Sequence, residues 1–155
     1  MADQAIIDQL IATIRELNME IRSRDFGQTV SAADLTGKSD SVPAILFGMR
    51  SREMNASQAV KRMLLGEEVV SDDEPATLSE QQVAAGTSAK ILLSQFGTAR
   101  EAILSQVREL PDETWNQTMV TPRGEMTLKD YLQTLVERDN ERMAQIKALL
   151  GKVSV

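Results

Sequence analysis

Residues 134–146, TLVERDNERMAQI, lie where a long amphipathic helix should bury its apolar face. Just upstream, Leu128, Leu132 and Leu135 recur at steps of four and three, the spacing that keeps side chains on one side of a helix. The same face then meets Arg138, Asp139 and Arg142 before Ile146 restores it. Two readings are open. The charges turn inward and mark a pocket, or the buried stripe shifts to Val136, Met143 and Leu150 and the charges form a solvated face. In the second case Arg138 with Glu141, and Asp139 with Arg142, are i, i+3 pairs contributing only about 0.2–0.5 kcal/mol each.

Three more apolar stripes precede this one. Ile6, Ile7, Leu10, Ile11, Ile14, Leu17 and Ile21 predict a helix over residues 3 to about 24. A polar connection, Gly27 with QTVSAADLTGKSDS, follows it. A second helix begins near Ser41–Pro43, since proline is tolerated in a first turn, and runs to about Leu65 with Gly66 as its cap. Its stripe is Ile45, Leu46, Met49, Ala56, Val60, Met63 and Leu64, and Glu53 falls inside it. The acidic segment 66–82, GEEVVSDDEPATLSEQQ, reads as a solvated linker and lacks the spaced ligands of a calcium loop. Ser79 with Gln82 matches a capping box opening a third helix, which runs to about Leu110 and stops at Pro111. Its face is Leu92, Phe96, Ala99, Ile103, Val107 and Leu110.

Residues 111–127 predict a short turn and a small extended excursion turning at Pro122–Gly124, with Trp115 as a plug over one end of the helices. Thr127 and Asp130 resemble a second capping box, and the last helix runs from about Leu128 to Leu150, ended by Gly151. The expectation is one all-α domain over residues 1–155, an antiparallel up-down four-helix bundle.

Composition narrows the function. Only 3% of the 155 residues are aromatic, so Leu, Ile, Val, Met and Ala must build the core, a palette that favours helix packing. There is no Cys and no His, which excludes disulfides, thiolate metal sites, the commonest general base and the commonest transition-metal ligand. A net charge of −6 argues against nucleic-acid binding. No apolar run approaches a membrane span and no secretory signal is evident, so a cytoplasmic protein with no membrane association is expected. No nucleophile and base stand at a recognisable spacing.

Residues 93–146 add a further cue. Leu110 and Trp115 follow a helix, a proline–glycine turn comes next, and TLKDYL opens a helix that ends AQI. With SVPAILFGMRSRE at residues 41–53, this order resembles the DinB-like superfamily of four-helix bundles. Members of that family usually hold a divalent metal with three histidines, one on the second helix and two four residues apart on the last. By position these fall on Gly48, Arg138 and Arg142. Arginine has no lone pair to offer, so the resemblance implies a member without the metal or any other cofactor. It also implies that Arg138 and Arg142 face inward, with Glu53 and Asp139 as their internal partners.

Such a cluster either replaces the metal with salt bridges or clamps a small anionic ligand. The expected role is therefore binding or structural. The alternative is a metal-independent enzyme, related to the family's thiol transferases or isomerases, that holds an anionic substrate with Arg138 and Arg142. Glu53 and Asp139 as ligands for Mg or Mn make a poor cation site with arginines alongside. The family's habit of pairing through helix faces implies a homodimer, and the wide stripe of the first helix suits one.

Overall fold

A computed structural model describes residues 3–22, 42–72 and 88–153. Four long helices, α1 (Gln4–Arg22), α2 (Val42–Leu65), α3 (Ala89–Val107) and α5 (Leu128–Val153), carry most of the chain. A short helix α4 (Asp112–Trp115) and a hairpin of β1 (Thr118–Thr121) and β2 (Gly124–Thr127) join α3 to α5. The protein is thus predominantly helical. The first connection and the Ser79–Gln82 pair lie outside the described residues.

Local chemistry sets most helix ends. Pro43 sits in the first turn of α2, where its missing N–H has no helical partner. Gly66 closes α2 at φ +69°, a left-handed conformation that glycine adopts without strain, and Glu67 N donates to Arg62 O at 2.9 Å. The Ser88 hydroxyl caps α3 by accepting from Ile91 N at 3.2 Å, and Thr127 caps α5 by accepting from Asp130 N at 3.0 Å. Three ends differ from expectation. The third helix opens at Ala89, not at the Ser79–Gln82 pair, because Ser88 is extended at φ −75°, ψ 157°. The third helix stops at Val107, three residues before Leu110, whose N–H closes a turn onto Val107 O at 3.2 Å. The last helix continues through Gly151 to Val153, because a glycine ends a helix only where it takes a positive φ, and Gly151 does not.

In the hairpin, Met119 pairs with Met126, and Pro122 and Arg123 form the two-residue turn. The Thr121 hydroxyl donates to Gly124 O at 2.7 Å and accepts from Arg123 N at 3.0 Å, which holds the turn. Trp115 is buried at one end of the helices as expected, with Nε1 donating to Val107 O at 3.1 Å.

Helix direction corrects the up-down expectation. Along α2 and α3, Arg50 meets Gln95, Glu53 meets Arg100, and Ser57 O accepts from Gln106. The numbers rise together, so these neighbours are parallel. Along α1 and α5, Asp3 meets Lys129, Thr13 meets Asp139, and Glu16 meets Lys147, so this pair is parallel too. The order is up, down, down, up. An apolar stripe has the same spacing read in either direction, so it cannot report direction. The 23 residues between α2 and α3 reach up to about 75 Å when extended, against roughly 29 Å for the length of α3. That connection is long enough to return along a helix before the next one starts.

Two apolar clusters fill the interior, and each draws on all four long helices. One includes Leu10, Ala56, Ile103, Trp115 and Leu132; the other includes Leu17, Leu46, Phe96 and Ile146. Ile6, Ile7 and Leu10 are buried within this chain's own core and Ile11 is half-buried, so the width of the first stripe is used by intrachain packing. Among the described residues, no helix is long and apolar enough to cross a membrane.

Candidate functional site

Between the two clusters the four long helices meet in one hydrogen-bonded group of buried polar side chains: Thr13 from α1, Glu53 from α2, Arg100 from α3 and Asp139 from α5. Each stands three or four residues from apolar neighbours on its own stripe, as Arg100 does between Phe96 and Ile103. Arg100 is fully buried, and all five of its N–H donors are used. Nε and one terminal nitrogen pair with the Glu53 carboxylate, the latter at 3.1 Å. The two terminal nitrogens reach the two Asp139 oxygens, each at 2.9 Å, and one also donates to Leu10 O at 2.9 Å. Thr13 donates to Asp139 at 2.7 Å. The guanidinium also lies 5.0 Å from the centre of the Phe96 ring.

This arrangement departs from the sequence expectation, in which Glu53 pairs with Arg138 or Arg142. Its partner is Arg100. The signal was present, since Arg100 lies on the apolar stripe of its helix just as Glu53 lies on its own.

Charge balance in the layer is uneven, with one cation between two carboxylates. Burial pushes the Glu53 carboxyl above its ordinary value of 4.5; Arg100 opposes this, and the neighbouring Asp139 carboxylate adds to it. Burial works against the Arg100 charge too, but the two carboxylates outweigh it and hold the guanidinium protonated. A folded-state value above the unfolded one means that the folded chain binds the Glu53 proton more tightly. The stabilising contribution of that proton is therefore full below about pH 4.5 and is lost as pH rises through the folded-state value. Glu53→Gln keeps the shape and one acceptor while removing this titration. Its melting temperature should vary less with pH above that point than the wild type's; parallel curves for the two proteins would refute the assignment.

Arg138 and Arg142 lie outside this layer, toward the surface, and both are half-buried. A cavity of about 20 Å³, room for one water, is lined by Glu53, Asp139, Arg138 and Arg142 together with Arg52 and apolar neighbours. The four residues singled out from the sequence thus share one small cavity, although Arg138 is tied elsewhere. It donates to Asp72 at 2.5 Å, and Arg142 donates to Gln145 at 3.0 Å.

Asp72 corrects the reading of its segment as a solvated linker. Its side chain is buried, accepting from Arg138 and from the Tyr131 hydroxyl at 2.8 Å, with Arg123 at 3.8 Å. Burial and then the Asp72 carboxylate raise the Tyr131 phenol above its ordinary value, so it stays protonated and donates. Beyond Arg138 the surface opens into a groove of about 430 Å³, lined by Arg52, Arg123, Arg138 and Arg142 with Thr134, Glu137 and Glu141. Arg52, Arg123 and Asp72 carry no sequence signal, because they meet through tertiary packing alone.

The interior is a poor match for a metal. Glu53 and Asp139 are the carboxylates nearest the centre, and both are engaged by a guanidinium lying between them. A cation there would have to displace a fixed positive charge. Among the described residues no three His, Cys, Asp or Glu side chains form a group able to hold a metal ion. Comparison with protein-family models, with curated proteins and with solved structures finds no match.

Proposed function

We propose that this chain is a DinB-like four-helix bundle, cytoplasmic and without the family's metal, in which an internal ion network ties the four long helices together, and that its role is binding or structural. The observation that carries the reading is the saturated Arg100 guanidinium at the centre, with Glu53 and Asp139 both committed to it. Such a centre has no open coordination position and leaves room for one water. At the three positions that the resemblance assigns to metal ligands the chain carries Gly48, Arg138 and Arg142, none of which offers a side-chain lone pair. A thermal-shift titration tests this. Mg²⁺, Mn²⁺ and Zn²⁺ should leave the melting temperature unchanged within about 1 °C, whereas a ligand at 100 times its Kd would stabilise by about 2.7 kcal/mol. A saturable rise with any of these metals, lost in Glu53→Gln, would overturn the reading.

One observation favours a second reading. Arg138 and Arg142 line a groove large enough for a small molecule. On this reading the chain is a metal-independent enzyme holding an anionic substrate with those two arginines, related to the family's thiol transferases or isomerases. Among the described residues lining the groove, Thr134 carries the one hydroxyl and donates it to Tyr131 O at 2.5 Å, so on this reading the chemistry comes from the substrate's own reactivity or from water.

A further inference from the structure

We propose that the groove beside Arg138 binds an oxyanion, a carboxylate or phosphate borne on a small molecule, and that the Asp72 carboxylate competes with it for the same guanidinium groups. The inference builds on the second reading above, but it concerns binding alone and needs no reaction. Four guanidinium groups converge from three elements: Arg52 from α2, Arg123 from the hairpin turn, and Arg138 and Arg142 from α5. Two carboxylates, Glu137 and Glu141, share the lining. In a chain of net charge −6, this gathering of arginines runs against the overall balance. Planar guanidinium forks match carboxylate and phosphate oxygens in pairs. The volume of about 430 Å³ falls within the usual range for small-molecule sites, roughly 300–1,000 Å³.

Asp72 shows what these arginines select. The chain leaving α2 delivers a carboxylate to the point where Arg138, at 2.5 Å, and Arg123, at 3.8 Å, approach each other. Its side chain is only 2% exposed, and the Tyr131 hydroxyl fixes it from the buried side. Two of the four groove arginines are therefore already oriented on an oxyanion that belongs to the protein. An external oxyanion meets guanidinium groups held in place but partly neutralised. Removing the charge of Asp72 while keeping its acceptor oxygen leaves more of their field for the ligand.

Isothermal titration of the full chain with pyrophosphate and with citrate, at constant ionic strength, tests the proposal and separates the phosphate and carboxylate classes. The wild type should bind one of the two. Asp72→Asn should bind it at least threefold more tightly. Arg52→Gln with Arg142→Gln should bind it at least tenfold more weakly, with an anion-free melting temperature near that of the wild type. If that double variant fails to fold, Arg123→Gln on the exposed turn takes its place. Glu109→Gln, which removes an exposed charge outside the groove lining, should leave affinity unchanged and so separates competition from net charge. Absence of binding in both wild type and Asp72→Asn would overturn the proposal. So would an Asp72→Asn affinity no higher than that of Glu109→Gln, or arginine variants that bind as the wild type does. Product formation judges the second reading independently, since titration of an unreactive anion does not read turnover.

Discussion

Replacing Arg100 with methionine should destabilise the protein by about 3–5 kcal/mol, because it strands two buried carboxylates without their cation. For a chain of this size that corresponds to a fall in melting temperature on the order of 10 °C. The loss does not measure the worth of the ion network. Taking three charged groups out of water is costly, and their mutual attraction offsets that cost only while every partner is present. A variant that removes the whole layer, Arg100→Met with Glu53→Leu, Asp139→Leu and Thr13→Val, should recover the stability of the wild type or exceed it by about 1–4 kcal/mol. Urea unfolding of the single and combined variants checks both statements. If Arg100→Met unfolds within 1 kcal/mol of the wild type, the guanidinium is not the centre of a buried network. Should the combined variant be as unstable as the single one, the layer contributes net stability and its retention needs no further explanation.

Trp115→Ala should cost a similar amount, about 3–5 kcal/mol, for a different reason. The indole is 1% exposed and packs in the cluster with Leu10, Ile103, Val107 and Leu132. Its truncation leaves a void at the end of the core that rigid helix ends cannot fill. The ring also ties α4 to the last turn of α3 through its bond to Val107 O. Trp115→Phe retains most of the buried area and loses that bond, so it should cost less than half as much. Equal losses for the two substitutions, measured by denaturant unfolding, would show that the hydrogen bond and not the packing dominates.

Much of the fold was readable from local pattern. The second helix was expected from Ser41–Pro43 to Leu65 and is found at Val42–Leu65, because proline, glycine and an apolar stripe act within a few residues. Thr127 marked the start of α5 for the same reason. Direction was not readable, since the stripes are indifferent to it and the long acidic segment hides whether the chain turns back at once or returns first. The interior site was half readable. Glu53 stands out as a charge on an apolar stripe, and Arg100 meets the same description on α3, whereas the uncharged Thr13 on α1 carries no such mark. Arg138, Asp139 and Arg142 form one cluster in the sequence, yet only Asp139 enters the core, with Arg138 and Arg142 on its outer side. Adjacent positions on a helix differ by roughly 100° in direction, so charges next to one another in sequence do not share an environment.

The pairing of α1 with α5 has a bearing on how this protein is born. Thr13 meets a partner 126 positions later in the chain. At a translation rate of about 5–20 residues per second, the first helix waits roughly 6–25 s before that partner is synthesised. Throughout that interval the nascent chain carries Leu10 and Leu17 without the helix that will cover them. Final closure waits until the last helix has emerged from the ribosome, and any factor that shields the emerging N-terminal helix acts in those seconds.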